Sequence, residues 1–274
     1  MININNLFFS YEKLTVFEDF NLSIPKKQSC LITGINNINK STLLRLMTGV
    51  LLPDDGEIVF DAKIGGNPKR KIGFISDKLS IYENLTVTQN IDLHKSVYRV
   101  SEFDESLIKH TKIKYNQKIK ELSINQHTIL HLSLILSAKP EILLIDEIIH
   151  SIDAYLRKVF LEQLIQLLSE RKLTIIMVNL NFHDIEHIIN RVIMLKDGTI
   201  AVDEGIEALK EKVKKVITTE LPGNIPIITR SGTPGSPEFF VYPFAETFRK
   251  QIDGEVSDLN LTEIVTAFIK KKYS

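Results

Sequence analysis

The sequence lacks an excess of charge of either sign. Its 274 residues include 34 basic and 34 acidic side chains, so the formal net charge is zero. Such a chain has no long-range field that would attract nucleic acid or an acidic surface. We therefore expect no nucleic-acid partner.

Cysteine and long apolar segments are also scarce. The single cysteine, Cys30, cannot form an internal disulfide, and its place in the apolar run 29–33 favours core packing. No apolar run approaches the roughly 20 residues that span a bilayer. The N-terminus has no basic start followed by a long apolar stretch, as a signal peptide would. These absences predict a cytoplasmic protein, which could still dock on a membrane component.

Glycine is missing where one motif usually carries it. Residues 34–42 read Gly-Ile-Asn-Asn-Ile-Asn-Lys-Ser-Thr, against the phosphate-loop pattern G-x-x-x-x-G-K-[ST]. Lys40 and Ser41 are in place, whereas Asn39 occupies the second glycine position. Backbone N–H groups and the following helix bind phosphate in such loops, and asparagine adopts left-handed dihedrals more readily than other non-glycine residues. The pattern predicts a nucleotide site that has diverged from the usual sequence.

The flanking elements favour this interpretation over a surface loop with a chance resemblance. Strands alternate with helices over the first part of the chain, which predicts an α/β fold with a mostly parallel sheet flanked by helices. The predicted strands are 2–9, 14–24, 28–33, 57–60, 71–76, 141–145, 173–178, 192–195 and 199–202. The predicted helices are 41–49, 86–98, 125–137, 153–169 and 184–189.

The composition changes after about residue 210. Prolines cluster between residues 222 and 243, among the short strand-like pieces 215–219, 225–229 and 238–242, and a helix is predicted at 261–271. We predict one domain at 1–208 and a small α+β domain at 209–274. Within the first we expect an antiparallel β subdomain and a short helical subdomain at about 85–138.

Two carboxylates follow the apolar strand 141–145. Asp146 and Glu147 would lie at the carboxyl end of that strand, where ligands bind in open α/β sheets. The alternative is a strand-end turn with solvated acids. The phosphate loop favours the site: such an aspartate helps to hold Mg²⁺, and the glutamate could activate water.

With these motifs in this order, roughly residues 1–205 resemble the ATP-binding cassette (ABC) family of nucleotide-binding subunits. The layout and the tail look most like the ATPase subunits of bacterial drug or lantibiotic exporters. The matching motifs, in chain order, are the adenine-stacking aromatic Tyr11, the phosphate loop 34–42, residues 82–87 after the glutamine loop, the LSGGQ-like signature 122–126 and the D-loop 151–153.

The resemblance implies a role for each matched residue. Glu147 would be the catalytic base, and the metal ligands for Mg²⁺ would be Ser41, Asp146 and Asp77. The remaining ATP-binding residues would be Tyr11, Gly34, Asn37, Asn39, Lys40, Thr42, Ser123, Gln126 and Asp153. The implied partners are transmembrane permease subunits and a second ATP-binding subunit, in a homodimer or a heterodimer. The implied location is peripheral, on the inner face of the cell membrane.

The departures from the family pattern point towards weak catalysis. Ile124 and Asn125 replace both signature glycines, Asp77 replaces the usual glutamine, and Leu180 occupies the position of the switch histidine. An apolar side chain cannot hydrogen-bond a γ-phosphate. Two hypotheses remain open: a slow ATPase of an exporter, and a pseudo-ATPase that acts as a structural or regulatory partner of an intact subunit.

Several of these residues also have purely structural interpretations. Tyr11 could be an ordinary strand aromatic, and Asp77 a solvated loop acid. Ser123 with Gln126 fits a capping box, and Asp153 fits a helix N-cap. His183, three residues beyond Leu180, could replace the switch histidine, although a surface histidine is the favoured interpretation.

Overall fold

The computed structural model describes residues 1–34, 37–61, 68–76, 81–146, 152–171, 173–178, 185–233 and 235–270. Thirteen strands and seven α-helices are assigned within these residues. The strands are β1 (Ile2–Tyr11), β2 (Leu14–Ile24), β3 (Ser29–Gly34), β4 (Asp55–Phe60), β5 (Ile72–Ile75), β6 (Ile142–Asp146), β7 (Thr174–Val178), β8 (Arg191–Lys196), β9 (Thr199–Gly205), β10 (Lys214–Ile217), β11 (Ile227–Thr233), β12 (Ser236–Val241) and β13 (Glu255–Ser257). The helices are α1 (Asn37–Thr48), α2 (Val87–Tyr98), α3 (Ile124–Ser137), α4 (Ala154–Arg171), α5 (Ile206–Lys212), α6 (Glu246–Arg249) and α7 (Leu261–Lys270).

The chain divides into two compact units. The first unit comprises residues 1–29 and 38–179, and the second comprises residues 30–37 and 180–274. The predicted boundary at residue 208 stays a prediction.

An antiparallel sheet in the first unit has the strand order β2-β1-β4. Ile2, Ile4 and Leu7 of β1 are buried, and Leu7 pairs with Phe20 of β2. The loose alternation of apolar and polar residues in the sequence reflects a sheet with one covered face. The predicted antiparallel β subdomain is confirmed.

Parallel strands of the first unit place the first carboxylate. Strand β6 pairs in parallel with β5 on one side and with β7 on the other. Every residue of β6 is buried, as expected for a central parallel strand with both faces covered. Asp146 is the last residue of β6 and stands opposite Val178 of β7. The strand therefore delivers a carboxylate to its carboxyl end.

Two helices of the first unit confirm the predicted helical segments. Thr86 caps α2 and Ser123 caps α3, each in a reciprocal capping box with the glutamine three residues later. Between them, residues 99–123 contain two short 3₁₀ turns, Ile108–His110 and Ile119–Glu121, and an isolated bridge from Lys118 to Thr86. The extent of the helical subdomain, about 85–138, stays a prediction.

Parallel and antiparallel strands also occur in the second unit. Strand β3 pairs in parallel with β8, and β8 forms an antiparallel hairpin with β9. A separate antiparallel sheet has the order β11-β12-β10-β13 and packs around Val216, Ile225, Val241 and Phe244. The predicted α+β character of the C-terminal segment is confirmed.

Some predicted elements differ from the structure. Helix α1 begins at Asn37, four residues earlier than predicted, so Asn39 has helical dihedrals. The prediction of a helix at 184–189 is wrong for residues 185–189: residues 185–188 form a turn, and residue 189 has no regular structure. Helices α5 and α6 and strand β13 were not predicted because each is shorter than two turns of helix or four residues of strand.

No helix in these described ranges has the length and apolar character to cross a membrane.

Candidate nucleotide-binding site

Gly34 ends strand β3 with a backbone that requires glycine. Its φ is +142°, and a Cβ at this position would lie 2.1 Å from the carbonyl oxygen of Leu195 in β8. A side chain is therefore excluded by dihedral and by space. The first glycine position of the phosphate-loop pattern therefore accepts no side chain in this structure.

The first turns of α1 bury the residues that the pattern assigns to phosphate. Lys40 has an exposed fraction of 0%, and Asn39 one of 5%. Lysine is almost never fully buried unless its ammonium has polar or charged partners. The structure therefore holds a cation inside the protein, at the beginning of a helix whose N-terminal N–H groups attract anions.

Ser41 and Asp146 meet although they lie far apart in the sequence. Ser41 Oγ donates a hydrogen bond to Asp146 Oδ1 at 3.0 Å, and Asp146 has an exposed fraction of only 5%. A carboxylate oxygen and a hydroxyl oxygen are hard donors of the kind that Mg²⁺ prefers. Mg²⁺ is usually bound by one or two carboxylates together with substrate phosphates and water. Ser41 and Asp146 are therefore suited to supply the protein ligands of such a site.

Tyr11 reaches the same helix from the end of strand β1. Its hydroxyl oxygen lies 3.2 Å from Thr42 Oγ1, within hydrogen-bond distance. The Tyr11 ring makes an edge-to-face contact with Phe9, with a centroid distance of 4.9 Å. The sequence predicted an aromatic near the base of a nucleotide, but it gave no sign of this hydroxyl contact.

The signature-like segment is used as a helix cap. Ser123 Oγ accepts from the backbone N–H of Gln126, and Gln126 Oε1 accepts from the backbone N–H of Ser123. Ile124, which replaces a glycine, has an exposed fraction of 77%. The structural interpretation of this pair is therefore confirmed, whereas its contact with nucleotide stays a prediction.

Asp153 also acts as a cap. Its Oδ1 accepts a hydrogen bond from the backbone N–H of Leu156 at 3.0 Å, at the start of α4. This role leaves the second carboxylate oxygen available, so the cap and the D-loop role predicted for Asp153 are compatible.

Several predicted site residues lie outside the described residues. These are Asp77, Glu147, Leu180 and His183, together with the side chain of Asn37. Among the described residues, no group of three or more histidine, cysteine or acidic side chains could hold a metal ion. Any Mg²⁺ site built on Ser41 and Asp146 therefore needs ligands from the nucleotide, from water or from the undescribed segments.

A cavity in the first unit was not predicted from the sequence. It has a volume of about 810 Å³, and its walls come from the end of α1, strand β5 and helices α2 and α3. Its rim includes the exposed apolar side chains Val50, Tyr82 and Val97. We call it the apolar cavity.

Two histidines line the apolar cavity. His94 stacks on Tyr98 with a centroid distance of 4.4 Å. The Nδ1 atoms of His94 and His131 are buried without a hydrogen-bond partner among the described residues. Burial lowers the pKa of His94 to about 4, and burial with the nearby His127 and His94 lowers the pKa of His131 to about 4. Both imidazoles are therefore neutral at physiological pH.

The thiol of Cys30 is buried and unreactive. It is fully buried in β3, and burial raises the pKa of its thiol to about 12. A thiol that does not ionise is a poor nucleophile, so the predicted role in core packing is confirmed.

Comparison with known sequences places these features in one family. Residues 17–150 match the family described as ABC transporter. The ABC transporter ATP-binding protein YtrB of Bacillus subtilis is 28% identical over 247 residues, which cover 85% of this chain and 84% of YtrB. The lantibiotic transport ATP-binding protein SrtF of Streptococcus pyogenes is 26% identical over 227 residues, which cover 80% of this chain and 99% of SrtF.

Solved structures show the same fold. The structure of an ATP-binding subunit of an ABC transporter aligns with a TM-score of 0.68 at 17% identity, covering 77% of this chain and 92% of that one. The dimeric bacterial ABC transporter cassette MJ0796 aligns with a TM-score of 0.64 at 24% identity, covering 75% of this chain and 99% of that one. With these relatives, the family match shows that residues 17–150 carry the domain of the ABC transporter family, and that the chain is similar over most of its length to ABC transporter ATP-binding proteins.

Proposed function

We propose that this ATP-binding subunit serves an exporter, in which it binds MgATP, hydrolyses it slowly and drives transmembrane permease subunits. The relatives include SrtF, named for lantibiotic transport, and CysA of Synechocystis, named for sulfate/thiosulfate import. The aligned region covers 99% of SrtF but 68% of CysA. The almost complete coverage of SrtF supports the export direction.

The hydrogen bond between Ser41 and Asp146 is the observation that carries the nucleotide part of this proposal. It brings a helix-start hydroxyl and a strand-end carboxylate together in the same unit as the buried Lys40. In phosphate-loop ATPases these three groups have complementary tasks. Lys40 would neutralise the β- and γ-phosphates, while Ser41 and Asp146 would hold Mg²⁺.

The remaining roles complete the proposed site. Backbone N–H groups around Asn37, Asn39 and Thr42 would bind the phosphates, and Tyr11 would stack on adenine. Asp77 would be a further Mg²⁺ ligand, and Glu147 would orient or deprotonate the attacking water. A bound Mg²⁺ would neutralise charge on the β- and γ-phosphate oxygens.

Slow turnover follows from the departures at the signature segment. Ser123, Gln126 and Asp153 would contact the nucleotide of a second ATP-binding subunit, but Ile124 presents a β-branched side chain where glycine would expose the backbone. Loss of one transition-state donor costs about a hundredfold or more in rate in other enzymes. We therefore propose weak hydrolysis in a homodimer, and faster hydrolysis in a heterodimer with an intact subunit.

Nucleotide titration with and without Mg²⁺, followed by steady-state turnover, tests the proposal. Wild type should bind MgATP and turn it over slowly, and Glu147→Gln should bind with similar affinity while turnover falls to background. Lys40→Ala should lose binding, whereas Lys158→Ala on the exposed face of α4 should not. Equal background turnover in wild type and Glu147→Gln would defeat the ATPase activity and leave the pseudo-ATPase.

The pseudo-ATPase is favoured by one specific observation. The Ser123–Gln126 capping box engages both side chains of the signature segment within their own helix start, next to the exposed Ile124. If turnover stays at background even for Ile124→Gly, the chain is a structural or regulatory partner. If Ile124→Gly raises turnover, the isoleucine is what slows an otherwise competent site.

The apolar cavity supports the proposed permease partner. Its basic lining residues are Arg45 and Lys69, and no carboxylate is found among its described lining residues. The exposed apolar side chains at the rim support a contact with a protein partner. We propose that an amphipathic permease segment with an acidic side chain docks here, which would place the subunit on the inner face of the cell membrane.

A further inference from the structure

The contact between Tyr11 and Thr42 joins two residues of the proposed site through their hydroxyls. The two oxygens lie 3.2 Å apart, and Thr42 has an exposed fraction of 1%. The edge-to-face contact with Phe9 fixes the tyrosine ring from the neighbouring position on the same face of β1. The tyrosine hydroxyl therefore approaches the phosphate-loop helix from a supported ring.

The chemistry of the two hydroxyls gives this hydrogen bond a direction. A phenol is a stronger acid than an aliphatic alcohol, so it is the better hydrogen-bond donor. With Tyr11 as donor and Thr42 Oγ1 as acceptor, the threonine keeps its own proton for another acceptor. Hydrogen bonds in such a chain polarise one another, which strengthens the second bond.

We propose that Tyr11 is a positioning residue, which turns the Thr42 hydroxyl into an oriented donor towards a phosphate of the bound nucleotide. This inference rests on the proposed function, because it needs phosphate at the start of α1. It gives Tyr11 two separable tasks. The ring face would stack on adenine, and the hydroxyl would act through Thr42 on phosphate.

A ligand without a base separates the two tasks. Inorganic tripolyphosphate carries the phosphates of ATP and no adenine, so stacking cannot contribute to its affinity. Tyr11→Phe keeps the ring and removes only the hydroxyl. We expect this variant to bind both MgATP and magnesium tripolyphosphate about three- to tenfold more weakly than wild type, the effect of one lost hydrogen bond.

The matched control is Tyr115→Phe. This variant also loses a hydrogen bond of a tyrosine hydroxyl, the one that Tyr115 donates to Glu105 Oε1 at 2.7 Å, but Tyr115 takes no part in the proposed site. The variant should therefore bind both ligands like wild type. Melting temperatures of the ligand-free variants report any purely structural cost, which should not appear as a change in tripolyphosphate affinity.

A double-mutant cycle tests whether Tyr11 acts through Thr42. In a Thr42→Val background the hydroxyl acceptor is absent, so the further change Tyr11→Phe should no longer weaken tripolyphosphate binding. Should Thr42→Val not fold, Thr42→Ser keeps a hydroxyl and should leave the effect of Tyr11→Phe intact.

The outcomes are distinct. Unchanged or tighter tripolyphosphate binding by Tyr11→Phe would overturn the inference, as would an equal loss in the Thr42→Val background. A loss confined to MgATP would show that the tyrosine acts on the base alone. Wild type that binds neither ligand would defeat the proposed function itself.

Discussion

Ser41 and Asp146 lie 105 positions apart in the sequence, yet Ser41 Oγ donates a hydrogen bond to Asp146 Oδ1 at 3.0 Å. The first residue is part of helix α1, and the second ends strand β6. This contact is the arrangement from which a hydroxyl and a carboxylate can accept one Mg²⁺ together.

We expect Asp146→Asn to remove most of the effect of Mg²⁺ on ATP affinity. The amide is nearly the same size as the carboxylate, but it lacks the charge that attracts the cation. The loss of one charge-assisted contact should weaken MgATP binding by about tenfold, while affinity measured in excess chelator should change little.

Isothermal titration with and without Mg²⁺ measures both affinities. Asp258→Asn is the control, because Asp258 is an aspartate whose ion pair with Lys214 lies in the second unit. The Mg²⁺ role of Asp146 would be refuted by an equal response to Mg²⁺ in wild type and Asp146→Asn.

We expect Gly34→Ala to lower the free energy of unfolding by about 2–3 kcal/mol, in the range of large single-site effects. The φ of +142° disfavours any side chain, and the added Cβ would clash with the Leu195 carbonyl oxygen at 2.1 Å. Gly223→Ala is the control, since a Cβ there meets no described atom within 4 Å. Urea unfolding of both variants gives the comparison, and equal losses would contradict the steric argument.

The elements that could be predicted from the sequence are those whose signals are local. Thr86 followed by Gln89, and Ser123 followed by Gln126, are capping boxes that mark the starts of α2 and α3. The apolar run before Asp146 marks a strand buried on both faces. Each of these signals lies within a few residues, so it determines the local structure largely independently of contacts with distant residues.

The features that could not be predicted depend on contacts between distant residues. The hydrogen bond from Tyr11 to Thr42 joins residues 31 positions apart. The sequence shows that both side chains carry a hydroxyl, but it does not show that the two hydroxyls lie next to each other. The apolar cavity needs β5, α1, α2 and α3 in place before His94 and His131 line the same space. Helix α1 begins four residues before its predicted start, so Asn39 has helical dihedrals and does not adopt the left-handed conformation that asparagine tolerates.

Acidification should destabilise the protein through its buried histidines. The pKa of His131 falls from an ordinary value near 6.5 to about 4, first through burial and then through His127 and His94. The unfolded state therefore binds a proton at a higher pH than the folded state does. The stabilisation is fully present above about pH 6.5 and is lost as the pH falls towards 4, on the order of 3 kcal/mol for His131.

Urea unfolding of wild type and His131→Gln at pH 7.5, 6 and 5 tests this linkage. The glutamine cannot be protonated, so the variant should lose less stability than wild type between pH 7.5 and pH 5. His187→Gln is the control, because His187 is exposed in a turn. Identical pH profiles for wild type and His131→Gln would show that His131 does not contribute to the acid response.

The two capping boxes allow the role of Ser123 as a helix cap to be separated from a role of Ser123 in nucleotide binding. Ser123 Oγ accepts a hydrogen bond from Gln126 N at 3.3 Å, and Thr86 Oγ1 accepts one from Gln89 N at 3.2 Å. Both caps lie in the first unit and have the same hydrogen-bond pattern. We expect Ser123→Ala and Thr86→Ala each to lower the free energy of unfolding by about 1 kcal/mol. Because Thr86 has no part in the proposed site, it reports the effect of cap loss alone.

ATP turnover then separates the two roles. If Ser123 acts only as a cap, both alanine variants should keep the turnover of wild type once they are compared at a temperature where each is fully folded. A selective fall in turnover for Ser123→Ala would show instead that its hydroxyl contacts nucleotide. The matched pair is needed because a drop in turnover for Ser123→Ala alone could arise from a frayed α3, and Thr86→Ala shows how much fraying of an equivalent cap costs.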